Sequence, residues 1–149
     1  MNETMKIPTA HASGTRKLAT FPNPAPQRDT EIHFTIPEFT CVCPLTGQPD
    51  FATIRIRYIP DKLCVELKSL KLYFWSFRDD GAFHEAVTHQ FLTDLSELLK
   101  PRYIEIIGDF NVRGGIHTVV IVRHTKKSWR PDESLRAAGW PSTPWRGND

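Results

Sequence analysis

The sequence predicts an α+β protein with an antiparallel sheet and two helices packed on one face of it. Three observations predict this class. Segments with alternating apolar residues come first, two segments with helical apolar spacing follow, and two more alternating segments come last. A run of strands, then helices, then strands is typical of α+β proteins and gives the sheet one apolar face for the helices to cover.

The first strands are predicted between residues 31 and 67. The segments EIHFTI (31–36), FTCVC (39–43) and FATIRIRYI (51–59) each place their apolar residues on one face. Pro60-Asp61 marks a turn, and KLCVEL (62–67) is a short further strand.

Two helices are predicted in the centre of the chain. Apolar residues three or four apart predict the first helix over residues 70–77, and the DDG sequence at 79–81 stops it. The same spacing predicts the second helix from Phe83 to Lys100, which Pro101 ends.

The last two strands are RYIEIIGDF (102–110) and GIHTVVIVRH (115–124), joined through Arg113-Gly114-Gly115. Paired glycines suit a hairpin turn or a bulge. A sheet of four or five strands leaves two edges that need cover, and association with further copies is one way to provide it.

A chain of 149 residues suggests one domain. We expect a flexible arm over residues 1–30, because it carries Pro, Thr, Asn and Ser without an apolar period, then a folded domain over 31–125 and a tail over 126–149. Trp140 and Trp145 could dock the tail on a neighbouring surface.

Composition excludes several classes. A net charge of +2 does not provide the concentrated basic face of a nucleic-acid-binding protein. No run of 18 apolar residues predicts a membrane span, and the N-terminus lacks the apolar segment of a secretory signal. Three cysteines without such a signal predict free thiols in a reducing cytoplasm.

The stretch TCVCPLTGQPDFATI (40–54) holds the first candidate site. Cys43 stands at a strand end before Pro44, and Asp50 follows across a loop in which Thr46 and Gln48 can supply hydrogen bonds. A thiolate nucleophile needs an acid, a base or a positive field nearby. The plain alternative is a hairpin with a buried thiol.

Other motifs remain open in the same way. Cys41-Val-Cys43 could be half a metal site with His33 or His84, but the spacing is not that of a zinc pair. Glu66, Lys68 and Lys71 meet at a strand-to-helix junction that is either a solvated helix start or a phosphate site. His84-Glu85 in a first helical turn either complements the helix dipole or reads a heterocycle edge.

Three segments together are more specific than these parts. CPLTGQPDFATI (43–54), VELKSLKLYFWSFRDDGAFHE (65–85) and PRYIEIIGDFNVRGGI (101–116) closely resemble the QueF-type 7-cyano-7-deazaguanine reductases in order and spacing. The resemblance covers residues 32–124 and the short single-module form. Its signature ELKSLKLY (66–73) separates these enzymes from the related GTP cyclohydrolases.

The resemblance implies a tunnelling fold, in which ββααββ units assemble side by side into rings, two rings stack, and sites lie between subunits. It implies NADPH-dependent reduction of the nitrile of 7-cyano-7-deazaguanine to the aminomethyl product, in queuosine biosynthesis for tRNA. NADPH is then the cofactor, a free base the substrate, and no direct contact with nucleic acid or membrane is expected.

The resemblance also implies residue roles. Cys43 is the nucleophile that forms a covalent thioimide and Asp50 is the proton donor. The expected substrate-binding residues are Val65, Glu66, Leu67, His84 and Glu85, and the expected cofactor-binding residues are Leu67, Lys68, Arg113 and Gly114. No metal is expected. Many relatives carry Ser at the position of Leu67, so one ligand hydroxyl is missing here.

Two other classes compete with this reading. A tunnelling-fold enzyme acting on pterins or GTP shares the fold and a base-binding Glu85, but gives no role to residues 66–73 or to Cys43 with Asp50. A non-catalytic module that binds tRNA or another protein has little support from a net charge of +2.

Overall fold

The computed structural model describes residues 14–140. Its helices and strands follow one another in the order β1 (Thr20–Pro22), β2 (Ile32–Val42), β3 (Pro49–Ile59), β4 (Leu63–Val65), α1 (Leu67–Trp75), α2 (His84–Leu99), β5 (Tyr103–Arg113), β6 (Ile116–Thr125) and α3 (Glu133–Ala137).

The main sheet has four antiparallel strands in the order β2-β3-β5-β6. α1 and α2 follow β3 in the chain, so the predicted ββααββ order and α+β class are confirmed. The helices cover one face of this sheet, where the alternating apolar residues of β3 and β5 lie, and Ile54, Ile56, Ile104 and Ile106 on that face are at most 1% exposed.

Aromatic side chains connect the helices to the sheet. The rings of Phe74 and Phe91 meet edge to face with centroids 5.0 Å apart, and Phe39 of β2 meets Phe91 at 5.2 Å. Such pairs contribute about 0.5–1.5 kcal/mol beyond the area they bury. Both helices are therefore fixed against β2, the strand that leads into Cys43.

β4 does not join the main sheet. It pairs with β1, with Thr20 opposite Val65 and Pro22 opposite Leu63. The strand β1 corrects the predicted arm for residues 20–22, because the composition of this segment hid a strand that finds its partner 43 residues later in the chain. Residues 1–13 of the predicted arm lie outside the described residues.

Part of the predicted tail also packs on the domain. Trp140 meets the ring of Tyr103 edge to face at 4.9 Å, and Leu135 of α3 is buried beside Ile59. The expected docking of Trp140 is thus present within the chain itself, while Trp145 lies outside the described residues.

Within residues 14–140 the outer edges of the sheet are β2 and β6, and neither has a strand partner on its outer side apart from the bridge between Val42 and Gly81 at the end of β2. A groove of about 820 Å³ lies between β2 and α1, lined among others by Ile36, Leu67, Lys71 and Trp75. In residues 14–140, the helices are all too short or too polar to cross a bilayer.

Candidate active site

Four side chains from four elements converge at one end of the main sheet. Cys43 follows β2, Asp50 lies at the start of β3, His84 begins α2 and Arg113 ends β5. Antiparallel pairing explains this convergence, because the C-terminal end of β2, the N-terminal end of β3 and the C-terminal end of β5 lie at the same end of the sheet.

A tight turn holds Cys43 near Asp50. The Cys43 amide donates to the Gln48 carbonyl at 2.8 Å, and the Gly47 amide donates to the Cys43 carbonyl at 2.9 Å. Gly47 has a φ of 71°, which favours glycine at this position. The segment after α1 holds β2 in place, since the Val42 amide donates to Asp80 and the Val42 carbonyl accepts from Ala82.

A β-bulge directs Arg113 toward the same side. The register of β5 with β6 passes from Phe110 opposite Thr118 to Arg113 opposite Ile116, so β5 contains one extra residue. Strand side chains alternate between faces, and the extra residue therefore places Arg113 on the face of Phe110 instead of the opposite face.

Arg113 contacts both members of the predicted nucleophile and acid pair. Its Nη2 lies 2.9 Å from the Cys43 sulfur, and its Nη1 donates to Asp50 Oδ1. The other carboxylate oxygen, Asp50 Oδ2, lies 3.4 Å from Nε2 of His84. The Asp50 side chain is only 5% exposed, so these two neighbours dominate its surroundings.

Phe110 fixes the orientation of the His84 ring. The two rings stack with centroids 3.8 Å apart and planes 6° from parallel. His84 is the first residue of α2, and its carbonyl accepts from the Thr88 hydroxyl at 2.7 Å. The stacking contact with Phe110 and the position of His84 at the start of α2 together hold Nε2 toward Asp50.

The Cys43 thiol is strongly acidified. Hydrogen bonds from the Thr46 side chain, then from Arg113, then from the backbone amides of Thr46 and Leu45 lower the pKa of Cys43 to about 6. All four donors stabilise the thiolate, so it is the main form at neutral pH. Cys43 is 4% exposed, and its burial raises the pKa by less than the donors lower it.

The other two thiols behave in the opposite way. Burial, together with the charges of Asp50 and Cys43, raises the pKa of Cys41 to about 11, and burial raises the pKa of Cys64. All three cysteines are free, yet only Cys43 has the properties of a nucleophile.

Another group of predicted residues lies at the start of α1. Val65 is buried at the end of β4, whereas Leu67 and Lys68 are exposed. The Glu66 carboxylate caps the helix, accepting the amides of Lys68 and Ser69 at 2.7 Å each. These amides lower the pKa of Glu66, so the carboxylate is ionised.

The Glu66 cap already places an anion at this junction. The anion that α1 binds at its N-terminus is the protein's own Glu66 side chain, which accepts two of the amides that a phosphate would use. Of the groups that the sequence offered for a phosphate at this junction, the side chains of Lys68 and Lys71 are exposed.

The two groups of residues lie at opposite ends of α1. The Cys43 turn contacts the segment that follows the helix, and Lys68 lies in its first turn. A helix of nine residues is about 13 Å long. The structure therefore brings together Cys43, Asp50, His84 and Arg113, but not Val65, Glu66, Leu67 or Lys68 with them.

The remaining predicted residues border the first group. Glu85 follows His84 and is exposed, and Gly114 follows Arg113 in a turn where both glycines have positive φ, 57° and 77°. Apart from Gly114 and its two neighbours in the chain, residues 14–140 place no atoms within 4 Å of the position that a Cβ of Gly114 would occupy. Across residues 14–140, no three His, Cys, Asp or Glu side chains are grouped as a metal site would need.

The sequence predicted one further contributor to this site and missed another. Thr46 is predicted to supply a hydrogen bond, and this is confirmed, because its hydroxyl is the first cause of the lowered pKa of Cys43. Phe110, which stacks on His84, was interpreted as an ordinary strand residue. The signal for Thr46 was its position three residues after a cysteine at a strand end. No comparable signal pointed to Phe110.

Comparisons with known proteins agree on one family. A family model described as QueF-like protein matches residues 49–129. A protein of Alkalilimnicola ehrlichii named NADPH-dependent 7-cyano-7-deazaguanine reductase is 58% identical over 123 residues, which cover 83% of this chain and 95% of that protein. A protein of the same name from Anaeromyxobacter dehalogenans strain 2CP-C is 67% identical over 112 residues, covering 75% and 92% of the two chains.

A solved structure supports the fold independently. The archaeosine synthase QueF-Like in its apo form superimposes with a TM-score of 0.59 at 18% sequence identity, covering 62% of this chain and 91% of that chain. At that identity the likeness concerns the fold alone. Together with the family match over residues 49–129 and the two relatives, it leads to one conclusion: this chain belongs to the family of QueF-like proteins.

Proposed function

We propose that this protein reduces the nitrile of 7-cyano-7-deazaguanine to the primary amine, using NADPH and a covalent thioimide on Cys43, as a step of queuosine biosynthesis. The observation that carries the proposal is the contact of one guanidinium with both Cys43 and Asp50. This site holds a thiolate next to a buried acid, which is what addition to a C≡N bond requires.

The relatives support the substrate and the cofactor. Both relatives described above are named for NADPH and for 7-cyano-7-deazaguanine. The match over 123 residues is long enough to include the turn after Cys43, the helices α1 and α2, and the turn between β5 and β6. A cyclohydrolase-like reaction, the alternative raised by the sequence, gives no role to an acidified Cys43.

The first step belongs to Cys43 and Asp50. The thiolate sulfur forms a bond to the nitrile carbon, one π pair of the C≡N bond moves to nitrogen, and Asp50 passes to that nitrogen the proton that the Cys43 thiol released. The product is a neutral thioimide in which no atom has been lost. His84, with Nε2 3.4 Å from Asp50 Oδ2, is placed to return a proton to the carboxylate.

The later steps also depend on Cys43. Two molecules of NADPH, when bound in turn, would each supply one hydride: the first to the thioimide carbon and the second to the same carbon after sulfur has left. Between them Cys43 leaves as a thiolate, taking the C–S bonding pair, and an imine remains. An acidified thiol is a good leaving group, so the donors that make Cys43 a nucleophile also assist its departure.

His84 and Glu85 are proposed to hold the base, with Val65, Glu66 and Leu67 completing the pocket. Glu85 follows His84 in the first turn of α2, and its residue is exposed, so its carboxylate can accept N–H groups of the heterocycle edge. A site built on such hydrogen bonds rejects analogues that lack them.

The residues proposed to hold NADPH fit an anionic dinucleotide. The Lys68 side chain is exposed, and 40% of the Arg113 side chain is exposed. Beside Gly114, the described part of the chain leaves the position of a Cβ free of all but its sequence neighbours. Leu67 is 62% exposed at the mouth of the β2–α1 groove and offers an apolar surface beside Lys68. Lys and Arg side chains suit phosphate groups.

We propose that the two groups of site residues meet between subunits of a ring. Within one chain α1, which is about 13 Å long, lies between them. Among residues 14–140, β6 has no strand partner on its outer side and β2 has only the bridge to Gly81 there, so both can pair with further copies. Exposed apolar residues on the edge strand β6, such as Val119 at 46%, support pairing there. The proposed catalytic domain is residues 31–125, joined by the docked segments on either side.

The cytoplasm is the proposed location. The three free thiols and the need for NADPH both suit a reducing compartment.

Stoichiometry tests this function. Purified protein given 7-cyano-7-deazaguanine should oxidise two NADPH per nitrile, and Cys43→Ala should oxidise none, whereas Cys64→Ala should retain activity because Cys64 lies in β4. One NADPH per nitrile, or turnover by Cys43→Ala, would contradict the mechanism. Zinc-dependent ring opening of GTP would instead support the cyclohydrolase alternative.

A further inference from the structure

We propose that Arg113 is a catalytic residue in its own right, whose guanidinium keeps Cys43 deprotonated and ties it to Asp50 before substrate binds. This role goes beyond the cofactor contact expected of Arg113. It deepens the proposed function, on which its meaning for nitrile addition rests. The role itself concerns an acid–base property of the substrate-free protein and is therefore measurable without any nitrile.

The contacts of the Cys43 sulfur carry the inference. Thr46 and the backbone amides of Leu45 and Thr46 donate as neutral groups, while Arg113 Nη2 donates at 2.9 Å with a positive charge. A charge-assisted hydrogen bond is about twice as strong as a neutral one. A cation in contact with sulfur stabilises the thiolate but gains little from a neutral thiol, so Arg113 acts selectively on the reactive form.

The backbone shows why Arg113 reaches the sulfur. The bulge after Phe110 turns Arg113 to the helix-covered face, and the Gly114-Gly115 turn closes the hairpin directly behind it. Without the extra residue, strand alternation would point this side chain to the opposite face of the sheet. The bulge is thus a device that adds a cation to the Cys43 site.

The same guanidinium also orders the acid. Nη1 donates to Asp50 Oδ1 while Nη2 donates to Cys43, so one planar group sets the relative positions of the two atoms that act on opposite ends of the nitrile. Addition of sulfur to the nitrile carbon neutralises the sulfur. The attraction of Nη2 for it then weakens, and the guanidinium becomes available to another anion.

This role is compatible with a contact to NADPH. A guanidinium has five N–H donors, and two nitrogens are engaged with Cys43 and Asp50. With 40% of its side chain exposed, Arg113 can present further donors to a phosphate.

Titration of the thiol tests the inference. Iodoacetamide alkylates thiolates, and the modified peptide containing Cys43 can be quantified by mass spectrometry over pH 4 to 10. The readout is the pH midpoint of the alkylation rate and not the rate at one pH, because a thiolate of higher pKa is also intrinsically more nucleophilic. Absorbance at 240 nm, with Cys43→Ala as the blank, gives the same midpoint independently.

We expect a midpoint near pH 6 for the unmodified protein. Arg113→Gln keeps a hydrogen-bond donor but removes the charge, and should raise the midpoint by at least about one pH unit. Arg113→Lys keeps the charge without the fork and should fall between the two. Arg130→Gln serves as the matched control, because Arg130 is exposed and follows β6 at the other end of the sheet, and should leave the midpoint unchanged.

A midpoint of Arg113→Gln within about 0.3 units of the unmodified protein would overturn the inference, since the cation would then contribute nothing to the thiolate. If Arg113→Gln does not fold, as judged by circular dichroism, Arg113→Ala, which also removes the charge, decides the matter by the same criterion.

The inference and the proposed function fail separately. A shifted midpoint with no nitrile adduct would contradict the function and support the role of Arg113. An adduct on Cys43 with an unshifted midpoint would support the function and overturn that role.

Discussion

The two ends of the main sheet differ in how they satisfy their charges. At the Cys43 end, one guanidinium donates to both a thiolate and a carboxylate. The strands that lead to this end are irregular, since the register of β2 shifts between Ile36 and Phe39 and that of β5 between Phe110 and Arg113. At the opposite end, where Ile59 pairs with Tyr103, the strands are regular and the neighbouring segments close over them.

The closed end is fixed by many local contacts. Asp29 alone accepts hydrogen bonds from Arg102 at 3.1 Å, from the Trp129 indole at 3.1 Å and from the Asp132 amide at 2.9 Å. Buried Glu105 accepts from Arg123 at 2.7 Å and pairs with Arg57 at 3.2 Å. Here each carboxylate is matched within the chain, so the charges contribute to folding.

The Cys43 end is matched less completely. Its thiolate and its carboxylate both contact Arg113, and its imidazole lies beside the carboxylate. The predicted ligand residues Glu85 and Gly114 remain exposed around them. Groups kept in such a state are typical of sites that await a substrate. We therefore expect changes at the Cys43 end to affect catalysis and changes at the closed end to affect stability.

Removal of the acid should have the largest effect. Asp50→Asn keeps the shape of the side chain but removes the proton donor, and should lower kcat by about 10² to 10⁴-fold. Steady-state NADPH oxidation measures this loss. Unchanged kcat would show that another group protonates the nitrogen. The midpoint of urea unfolding serves as the control and should change little.

Mixed subunits should sharpen the comparison next. If the Lys68 group of one chain completes the Cys43 site of its neighbour, mixing inactive Cys43→Ala with Lys68→Ala subunits should restore up to about a quarter of the activity, the chance of an intact pair in a randomly mixed ring. Lys68→Ala keeps the amide that Glu66 caps. Refolded mixtures that remain inactive would place both groups within one chain.

At the closed end, a core substitution should cost stability without costing activity. Leu135→Ala removes a side chain that is 5% exposed in the cluster of Ile59, Tyr103 and the tryptophans. We expect a loss of about 2 kcal/mol in the free energy of unfolding, near the lower end for buried leucine. Urea denaturation measures it. A matching loss of kcat in the folded variant at low temperature would contradict the separation of the two ends.

The smallest expected effect is a pH dependence of stability. The pKa of Asp61 is lowered in the folded protein, chiefly because Lys126 donates a hydrogen bond to its carboxylate at 2.6 Å. Its stabilisation is therefore present above the unfolded pKa of about 3.9 and is lost as the pH falls through the lower folded value. Both side chains are partly exposed, so Asp61→Asn should cost only about 0.5–1 kcal/mol at pH 7.

Urea unfolding of Asp61→Asn and of the unmodified protein at several pH values tests this. The difference between them should shrink as the pH falls below about 4. A difference that is constant between pH 7 and pH 3 would show that the effect does not come from ionisation of Asp61.

The sequence predicted the regular parts of the molecule well, for a physical reason. Apolar periodicity reports burial, and it identified β3, β4, α1, α2, β5 and β6 to within about three residues of most observed bounds. The two runs predicted at 31–36 and 39–43 form one strand, β2, because a register shift between Ile36 and Phe39 interrupts its alternation. The strand β1 was missed because three residues carry no period, and its stability comes from a distant partner, β4.

The site was predicted only in part. Cys43 and Asp50 were identified from a thiol and an acid flanking one turn, and Arg113 was identified through the family resemblance. The contact of Arg113 with Cys43 and Asp50 depends on the bulge after Phe110. A bulge is set by how two strands pair, so it could not be predicted from the sequence of β5 alone. The Glu66 cap was hidden in the same way, because a glutamate before a helix suits a ligand as well as its own backbone.

Intact mass spectrometry of the protein incubated with 7-cyano-7-deazaguanine alone tests the central claim most directly. Addition of the thiolate expels nothing, so the proposed function predicts one adduct per chain with the full mass of the nitrile. Peptide mapping should locate it on Cys43, and Cys43→Ala should form none. Its yield should fall as the pH drops below about 6, where Cys43 becomes protonated. An unmodified mass at neutral pH, under conditions where NADPH is still oxidised, would contradict covalent catalysis by Cys43.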